Sequence, residues 1–319
     1  MSFRLRFEES LQEGLRRIAD DQLGAAKQAL ERAVDDDTSA CVHDCRKRCK
    51  KLRGLIRLVR PALGEQYKPI NVALRDAARE LAPIRDARAR LDSFDDLLNA
   101  LPRAERDSAL LETVRQGLRV DAETAEGGVQ QHSARIERAQ DLLDDAAGRL
   151  AALTLDGDER TAIRRGTKKT YARGRKAMAA AIERPEAERF HEWRKRAKYT
   201  WHHLKLLRNT APSVLAPLAE RYHDLSDLLG DAHDLVVLVA HLNQDPKRYG
   251  GRDAVYAVAE AGARLQRQLE SRALSLGRRL YVESPGSFSR RLAGYWNVWR
   301  RHGPEQAQRD IDELDVGPS

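Results

Sequence analysis

Two short stretches of the sequence combine a histidine with a dense run of positive charge. HDCRKRCKK begins at His43 and HEWRKRAKY begins at His191. Residues 43–60 contain eight Lys or Arg and one acid, and residues 191–208 contain six Lys or Arg and one acid. Solvated helix faces usually place acids three or four positions from bases, because like charges at that spacing repel each other. The two stretches therefore indicate a binding site for an anion.

In each stretch the histidine and several of the basic side chains fall on one side of a helix when residues advance by about 100°. Arginine offers a rigid fork for phosphate oxygens, lysine a point charge, and histidine a ring N–H whose protonation a nearby anion favours. Several donors along one helix suit a polymer of phosphates better than one small ligand. We call these two sides the basic fronts, and their residues are His43, Arg46, Lys47, Lys50 and Arg57 in the first stretch, and His191, Arg194, Lys195, Lys198, His202 and Lys205 in the second.

Long helices must position these side chains, and the sequence favours helices throughout. Aromatic residues make up only 5% of the 319 residues, and proline and glycine recur where helices should end. An apolar stripe runs opposite the first basic front at spacings of three and four. Its members are Cys45, Cys49, Leu52, Ile56, Val59 and Leu63. We predict an all-α protein.

The sequence repeats itself at an offset of 148 residues without gaps. His43 then falls on His191, and the register holds for about 70 residues, as far as Asp86 and Asp234. We predict one domain of two four-helix repeats, at about 5–150 and 155–303, packed as a pseudo-twofold pair. A polar, acidic tail follows at 304–319.

Other basic residues match between the copies or continue one helix face, and we predict that they also contact the anion, solvated surface being the alternative. They are Arg16, Arg17, Arg164, Arg165, Lys169, Arg173 and Lys176. Four aspartates also match between the copies, and we expect them to pair with Arg and Lys and so orient the donors. They are Asp76, Asp86, Asp224 and Asp234.

The overall totals agree with an anionic partner and a reducing compartment. The formal charge is +8 and the pI is near 9.5. The three cysteines lie between Cys41 and Cys49, which makes a poor disulfide framework. The N-terminus has no apolar run of the signal-peptide type, and no stretch approaches the roughly 20 apolar residues of a membrane span. We predict a cytoplasmic protein with no membrane partner.

The motifs together resemble the CHAD domain, the conserved histidine α-helical domain, over about residues 5–303. The resemblance rests on the H-x-x-R-K-x-x-K cores in HDCRKRCK and HEWRKRAK, and on LAPIRDARARLD, LLGDAHDLVVLV and IRRGTKKTYARGRKAM. It implies two four-helix bundles around a basic central groove or pore that binds inorganic polyphosphate, with no cofactor. No E-x-E-x-K motif of a fused CYTH domain is present, so a stand-alone CHAD protein is implied. Association with polyphosphate granules would follow from that activity.

The residues that the resemblance assigns to polyphosphate are those of the two shared cores. They are His43, Arg46, Lys47, Lys50, His191, Arg194, Lys195 and Lys198. The first copy departs from the second by carrying Gly54 at the position of His202, so we expect the two walls of the groove to contribute unequally.

A metal-dependent phosphohydrolase of the all-α HD type is one alternative, because HD dipeptides begin at His43, His223 and His233. The first copy places Arg75 and Arg85 opposite His223 and His233, and arginine does not ligate metals under ordinary conditions. No nucleophile is flanked by a base and an orienting acid. Cys45 and Cys49 could suggest zinc, but the second copy has packing residues there. We therefore predict a binder, not an enzyme, without a metal site.

Nucleic acid is a second alternative partner, since its backbone is also a chain of phosphates. Proteins that bind single strands usually interleave aromatic residues with the bases for stacking. Only Trp193, Tyr199 and Trp201 lie near the second front, and the first front has no aromatic counterparts. Polyphosphate is therefore the preferred partner.

Overall fold

The computed structural model describes residues 3–33, 37–106, 108–126 and 129–315, with the backbone alone for 129–131 and 304–315. Within these ranges the chain forms helices and no strand, which confirms the all-α prediction. The first half contains α1 (Leu11–Arg32), α2 (Thr38–Leu58), α3 (Arg60–Leu63), α4 (Tyr67–Glu80), α5 (Ala82–Ala100), α6 (Arg103–Arg106), α7 (Ala109–Glu126) and α8 (Val129–Ala151). The second half contains α9 (Glu159–Glu183), α10 (Ala187–Leu207), α11 (Pro212–Leu242), α12 (Arg252–Leu280) and α13 (Pro285–Asp315).

Helices α1 and α9 begin at equivalent positions of the sequence repeat. Ser10 caps α1 by accepting a hydrogen bond from the Glu13 amide at 3.2 Å, and Asp158 caps α9 by accepting one from the Thr161 amide at 2.9 Å. Both side chains satisfy an amide that has no partner within its own helix. The two copies therefore share their local start signal at the predicted offset.

The copies differ where α4 and α5 of the first correspond to the single long α11 of the second. A break at Leu81 separates α4 from α5, and Pro83 lies in the first turn of α5. Proline lacks an amide N–H and its ring clashes with the preceding turn, so it favours a helix start at this point. The equivalent residue of the second copy is Asp231, and the helix continues through it.

Two hydrophobic clusters hold the fold together, and each takes residues from both halves of the chain. The larger cluster joins α1, α2, α4 and α8 to α9, α10 and α13, and includes Leu52, Leu143, Trp193 and Trp296. The smaller cluster joins α5 and α7 to the C-terminal part of α11 and to α12, and includes Phe94, Val114, Leu238 and Val258. Burying apolar surface in common between the halves stabilises them as one unit.

The segment before α1 packs against α10. The Leu5 amide donates to the Leu206 carbonyl at 3.0 Å, and the Asn209 side-chain amide donates back to the Leu5 carbonyl at 2.9 Å. The ring of Phe3 then covers that of His202. This segment therefore closes one side of the contact between α2 and α10.

The last helix has a break at Gly303, where φ is 74°, and its backbone is helical again as far as Asp315. Residues 316–319 of the predicted acidic tail lie outside the described residues. Among the helices that are described, none is both long and apolar enough to cross a bilayer.

Candidate anion-binding site

Helices α2 and α10 bury the sides that lie opposite their basic fronts. Cys45 and Cys49 of α2, and Trp193 and Ala197 at the equivalent positions of α10, are all 0% exposed. Cysteine therefore acts here as a small core residue. No group of three or more possible metal ligands is found in the described ranges.

The two helices touch at Gly54 and His202, which are equivalent positions of the repeat. A Cβ atom placed on Gly54 would lie 2.8 Å from the His202 Cβ. Equivalent residues in direct contact define the place where a pseudo-twofold axis would pass. Packing therefore requires glycine at position 54 opposite His202, since the histidine ring occupies the space that a side chain at Gly54 would need.

His202 does not lie on the exposed basic front, and its predicted contact with the anion is corrected here. Its side chain is 2% exposed and packs against the rings of Trp201 and Phe3, with centroid distances of 4.8 and 5.7 Å. Burial, followed by the charge of Lys198, lowers the pKa of His202 well below its usual value. A neutral buried ring contributes packing and no charge to a bound anion.

Lys50 of α2 and Lys198 of α10 lie close enough for their charges to repel each other, and we call the surface between the two basic fronts the groove. Burial, followed by the charges of Lys198, Arg46 and Arg194, lowers the pKa of Lys50 to about 8. The Lys50 side chain is nevertheless exposed to solvent. Lys50 is thus surrounded by many protein atoms and still reaches solvent, which is typical of a concave surface. Burial and Arg194 also lower the pKa of Lys198.

The histidines of the two basic fronts meet different partners in the two walls. His43 lies near Arg85, and burial together with that charge lowers the pKa of His43 to about 4. His191 packs on His233 with a ring-centroid distance of 3.9 Å, and burial together with His233 lowers its pKa to about 4. The Nδ1 atoms of His191 and His233 are buried and have no partner among the described residues. Both fronts therefore carry neutral histidines near neutral pH.

The front arginines are held from the opposite helices. Arg46 donates from Nη1 to the Ala78 carbonyl at 2.8 Å, and Asp86 attracts its charge. Arg194 lies 3.8 Å from the Asp234 carboxylate. The predicted pairing is therefore seen for Asp234, whereas Asp86 attracts Arg46 without an ion pair between them.

The other two matched aspartates pair with arginines of their own helices. Asp76 accepts from Arg75 at 2.7 Å, and Asp224 lies 3.1 Å from Arg221. Neither pair involves a residue of the basic fronts.

The remaining front lysines differ in their contacts. Lys47 is exposed, and Lys195 pairs with Glu192 at 2.7 Å. Lys205 lies over the ring of Trp201 at 5.0 Å from its centroid. Trp201 therefore lies among the cations of the second wall, since Lys198 is 5.7 Å from the same ring.

Two basic residues that were predicted to contact the anion make contacts within the fold. Arg16 donates to the Leu153 carbonyl at 2.8 Å, at the end of α8. Arg17 donates to Glu9 at 2.7 Å and to the Arg4 carbonyl at 2.9 Å, which holds the N-terminal segment. These guanidinium groups already have partners within the fold, and their contact with the anion stays a prediction.

The other predicted residues lie on α9 or beside it. Arg164, Arg165 and Lys176 are exposed, and none forms an ion pair with a carboxylate of the described ranges. Arg57, Lys169 and Arg173 line a separate cleft between α2, α9 and α10, which we call the lateral cleft. Arg57 is therefore not a groove residue, although it shares the front of α2 on a helical wheel.

Three residues of this region were absent from the sequence prediction. Arg85 and His233 face the two front histidines, and Lys51 extends the cationic surface beside Lys205. The offset of 148 residues already relates Arg85 to His233. That shared position was the signal that could have identified them as partners of the front histidines.

The chain is similar to known proteins in its sequence and in its fold. The family model of the CHAD domain matches residues 17–243. The structure is similar to PptA from Streptomyces chartreusis, with a TM-score of 0.60 and 15% identity over 84% of this chain and 98% of that one. It is also similar to the CHAD domain from the plant Ricinus communis, with a TM-score of 0.61 and 19% identity over 88% of this chain and 94% of that one. No curated protein matches the chain.

Proposed function

Since the chain belongs to the CHAD domain family, we propose that it binds inorganic polyphosphate in the groove between α2 and α10 and does not cleave it. One observation carries the proposal. Lys50 and Lys198 repel each other across the groove, and neither has a carboxylate within ion-pair distance in the described ranges. Asp234 attracts both lysines and Asp227 attracts Lys198, but neither is within ion-pair distance, so a polyanion between the lysines would relieve the remaining repulsion.

The length of the groove suits a chain of phosphates. His43 and Lys50 are seven positions apart, which is about 10 Å along a helix axis. Arg46, held at Ala78, and Arg194, held near Asp234, present oriented donors beside them. Binding through many charge-assisted contacts gives affinity that rises with chain length and falls steeply with salt. Association with polyphosphate granules would follow from this binding.

The metal-dependent phosphohydrolase is less well supported by the side-chain arrangement. Such a site needs several ligands converging on one point. His223 instead pairs with Asp227 and contacts the Trp201 ring, while His233 packs on His191.

Calorimetric titration with polyphosphates of graded length tests the proposal, with tripolyphosphate and duplex DNA as competitors. Reversing two charges in Lys50→Glu/Lys198→Glu should abolish binding while helical circular dichroism is kept. The matched control is Arg267→Glu/Arg272→Glu, which makes the same charge change at exposed positions of α12. Equal loss in both variants would show that only net charge matters, and the groove assignment would fail.

Two further outcomes separate the alternatives. Phosphate release by the purified protein that a chelator stops would favour the hydrolase. Equal affinity for duplex DNA and polyphosphate at matched salt would favour a nucleic-acid partner.

A further inference from the structure

The lateral cleft lies between three helices, away from the contact of Gly54 with His202. Gly166 allows α9 to pack directly on the end of α2, since a Cβ there would lie 1.6 Å from the Leu58 carbonyl oxygen. The cleft opens beside this close contact. Its lining residues are Arg57, Arg60, Lys169, Thr170, Arg173, Arg196 and Tyr199.

The charge in the lateral cleft is unbalanced. Of its five cations, Arg196 pairs with Glu192, whereas the other four have no ion pair with any described carboxylate. Burial, followed by Arg196 and Arg60, lowers the pKa of Arg173. Burial, followed by Arg60 and Arg173, lowers the pKa of Lys169. These cations destabilise one another, and an anion among them would remove that repulsion.

Two arginines of the cleft are held in fixed orientations by aromatic rings. The Arg57 guanidinium lies 4.0 Å from the Tyr199 ring centroid, and that of Arg60 lies 4.4 Å from the Tyr67 ring centroid. Arg57 also donates from Nη1 to the Arg53 carbonyl at 3.0 Å, while its buried Nε has no partner in the described part of the chain. A guanidinium packed against a ring keeps N–H groups available for an oxyanion.

The cleft is distinct from the groove. On α10, Arg196 is turned by about 140° from His191, whereas Lys195 and Lys198 stay within about 40° of it. Glu192 separates the two regions because it pairs with both Lys195 and Arg196. The charges that act most strongly on Lys50 are those of the groove, and none belongs to the cleft.

The size of the cleft limits its ligand. Its free space is about 10 Å³, which is close to the room one water molecule needs. A phosphoryl group would enter by displacing the exposed ends of Lys169 and Arg173, which no described carboxylate holds. A chain of phosphates could not pass through.

We propose that the lateral cleft is a second anion site, separate from the polyphosphate groove, which takes a single phosphoryl group, either inorganic phosphate or one end of diphosphate, when the side chains of Lys169 and Arg173 move outward. This second site depends on the proposed function only in that phosphate is chosen as the anion. Four cations and a threonine hydroxyl supply the contacts.

Diphosphate titration by calorimetry tests this site in a protein whose groove has been weakened. Lys50→Gln/Lys198→Gln should still bind one diphosphate, and adding Lys169→Gln/Arg173→Gln should lower that affinity by about tenfold or more. The control adds Lys168→Gln/Arg175→Gln instead, two exposed positions on other sides of α9, and should leave diphosphate binding unchanged.

A second measurement uses long-chain polyphosphate. Lys169→Gln/Arg173→Gln alone should keep its long-chain affinity within about threefold of the unsubstituted protein, since a separate site contributes little to the groove. An equal loss in this variant and in Lys50→Gln/Lys198→Gln would show that the cleft only extends the groove. Unchanged diphosphate affinity after Lys169→Gln/Arg173→Gln is added to Lys50→Gln/Lys198→Gln would also overturn the second site. Full long-chain affinity in Lys50→Gln/Lys198→Gln would refute the groove and leave the lateral site standing.

Discussion

Replacing Lys198 by glutamine should stabilise the ligand-free protein and weaken its binding to polyphosphate. Lys198 is the charge that contributes most, after burial, to the lowered pKa of Lys50, which is about 8. Removing it should raise the pKa of Lys50 and reduce repulsion in the folded state only. Because Lys50 is exposed to solvent, screening limits the effect, and the lost attraction of Lys198 to Asp227 and Asp234 offsets part of it, so we expect the free energy of unfolding to rise by about 0.5 kcal/mol.

The same substitution removes one charge-assisted contact from the bound state. A hydrogen bond to a charged group contributes about 1.5–3 kcal/mol, so the affinity for long-chain polyphosphate should fall by about tenfold or more. The slope of log affinity against log salt should become shallower by about 0.7, if polyphosphate releases counterions as a single-stranded nucleic acid does. Stability and affinity therefore change in opposite directions.

Urea denaturation followed by circular dichroism measures the first effect, and calorimetric titration measures the second. An NMR titration of the Lys50 side chain reports its pKa directly. The control is Arg272→Gln, which removes one exposed charge of α12 and should change none of the three. A Lys198→Gln protein that is less stable, with an unchanged Lys50 pKa, would refute the repulsion across the groove.

Three further predictions concern pH and packing. Polyphosphate affinity measured by calorimetry should fall between about pH 8 and 10, because Lys50 of the ligand-free protein loses its proton near pH 8. The stability of the ligand-free protein in urea should rise over the same interval, since Lys50 of the unfolded chain binds more protons there than Lys50 of the folded protein. Gly166→Ala, whose Cβ would meet a backbone carbonyl, should lower the free energy of unfolding by about 3 kcal/mol, whereas Gly148→Ala, with open space around it, should raise it by about 0.5–1 kcal/mol, both by thermal denaturation. Tyr249→Phe removes hydrogen bonds to Asp121 at 2.5 Å and His241 at 2.8 Å, so stability in urea should fall by about 1–2 kcal/mol while polyphosphate affinity stays the same.

Much of the candidate site follows from helical periodicity. The wheel that places Cys45 and Cys49 opposite His43 depends only on the 3.6-residue turn, and both cysteines are buried as it predicts. Alignment with Trp193 and Ala197 identified the same back side in the second copy. Local geometry is carried by consecutive residues, so a sequence displays it directly.

Sequence reasoning missed contacts where a side chain's neighbours come from distant parts of the chain. Arg17 pairs with Glu9 and holds the N-terminal segment, a contact that no periodicity indicates. His202 shares the front of α10 on the wheel, yet Gly54 and Phe3 enclose it. A wheel states which way a side chain points along its own helix and says nothing of what is packed there.

The sequence alone therefore determined the helices, the repeat at 148 residues, the two basic fronts and the apolar sides opposite them. Each of these features depends on residue spacing within one helix or on identical residues at equivalent positions of the two copies. The tertiary structure decided which cations share a site. It brought Lys50 opposite Lys198 and turned Arg57 onto Tyr199 in the lateral cleft. The crossing of α2 with α10 and the packing of α9 against α2 set those distances, and electrostatic repulsion between charges depends on distance in space.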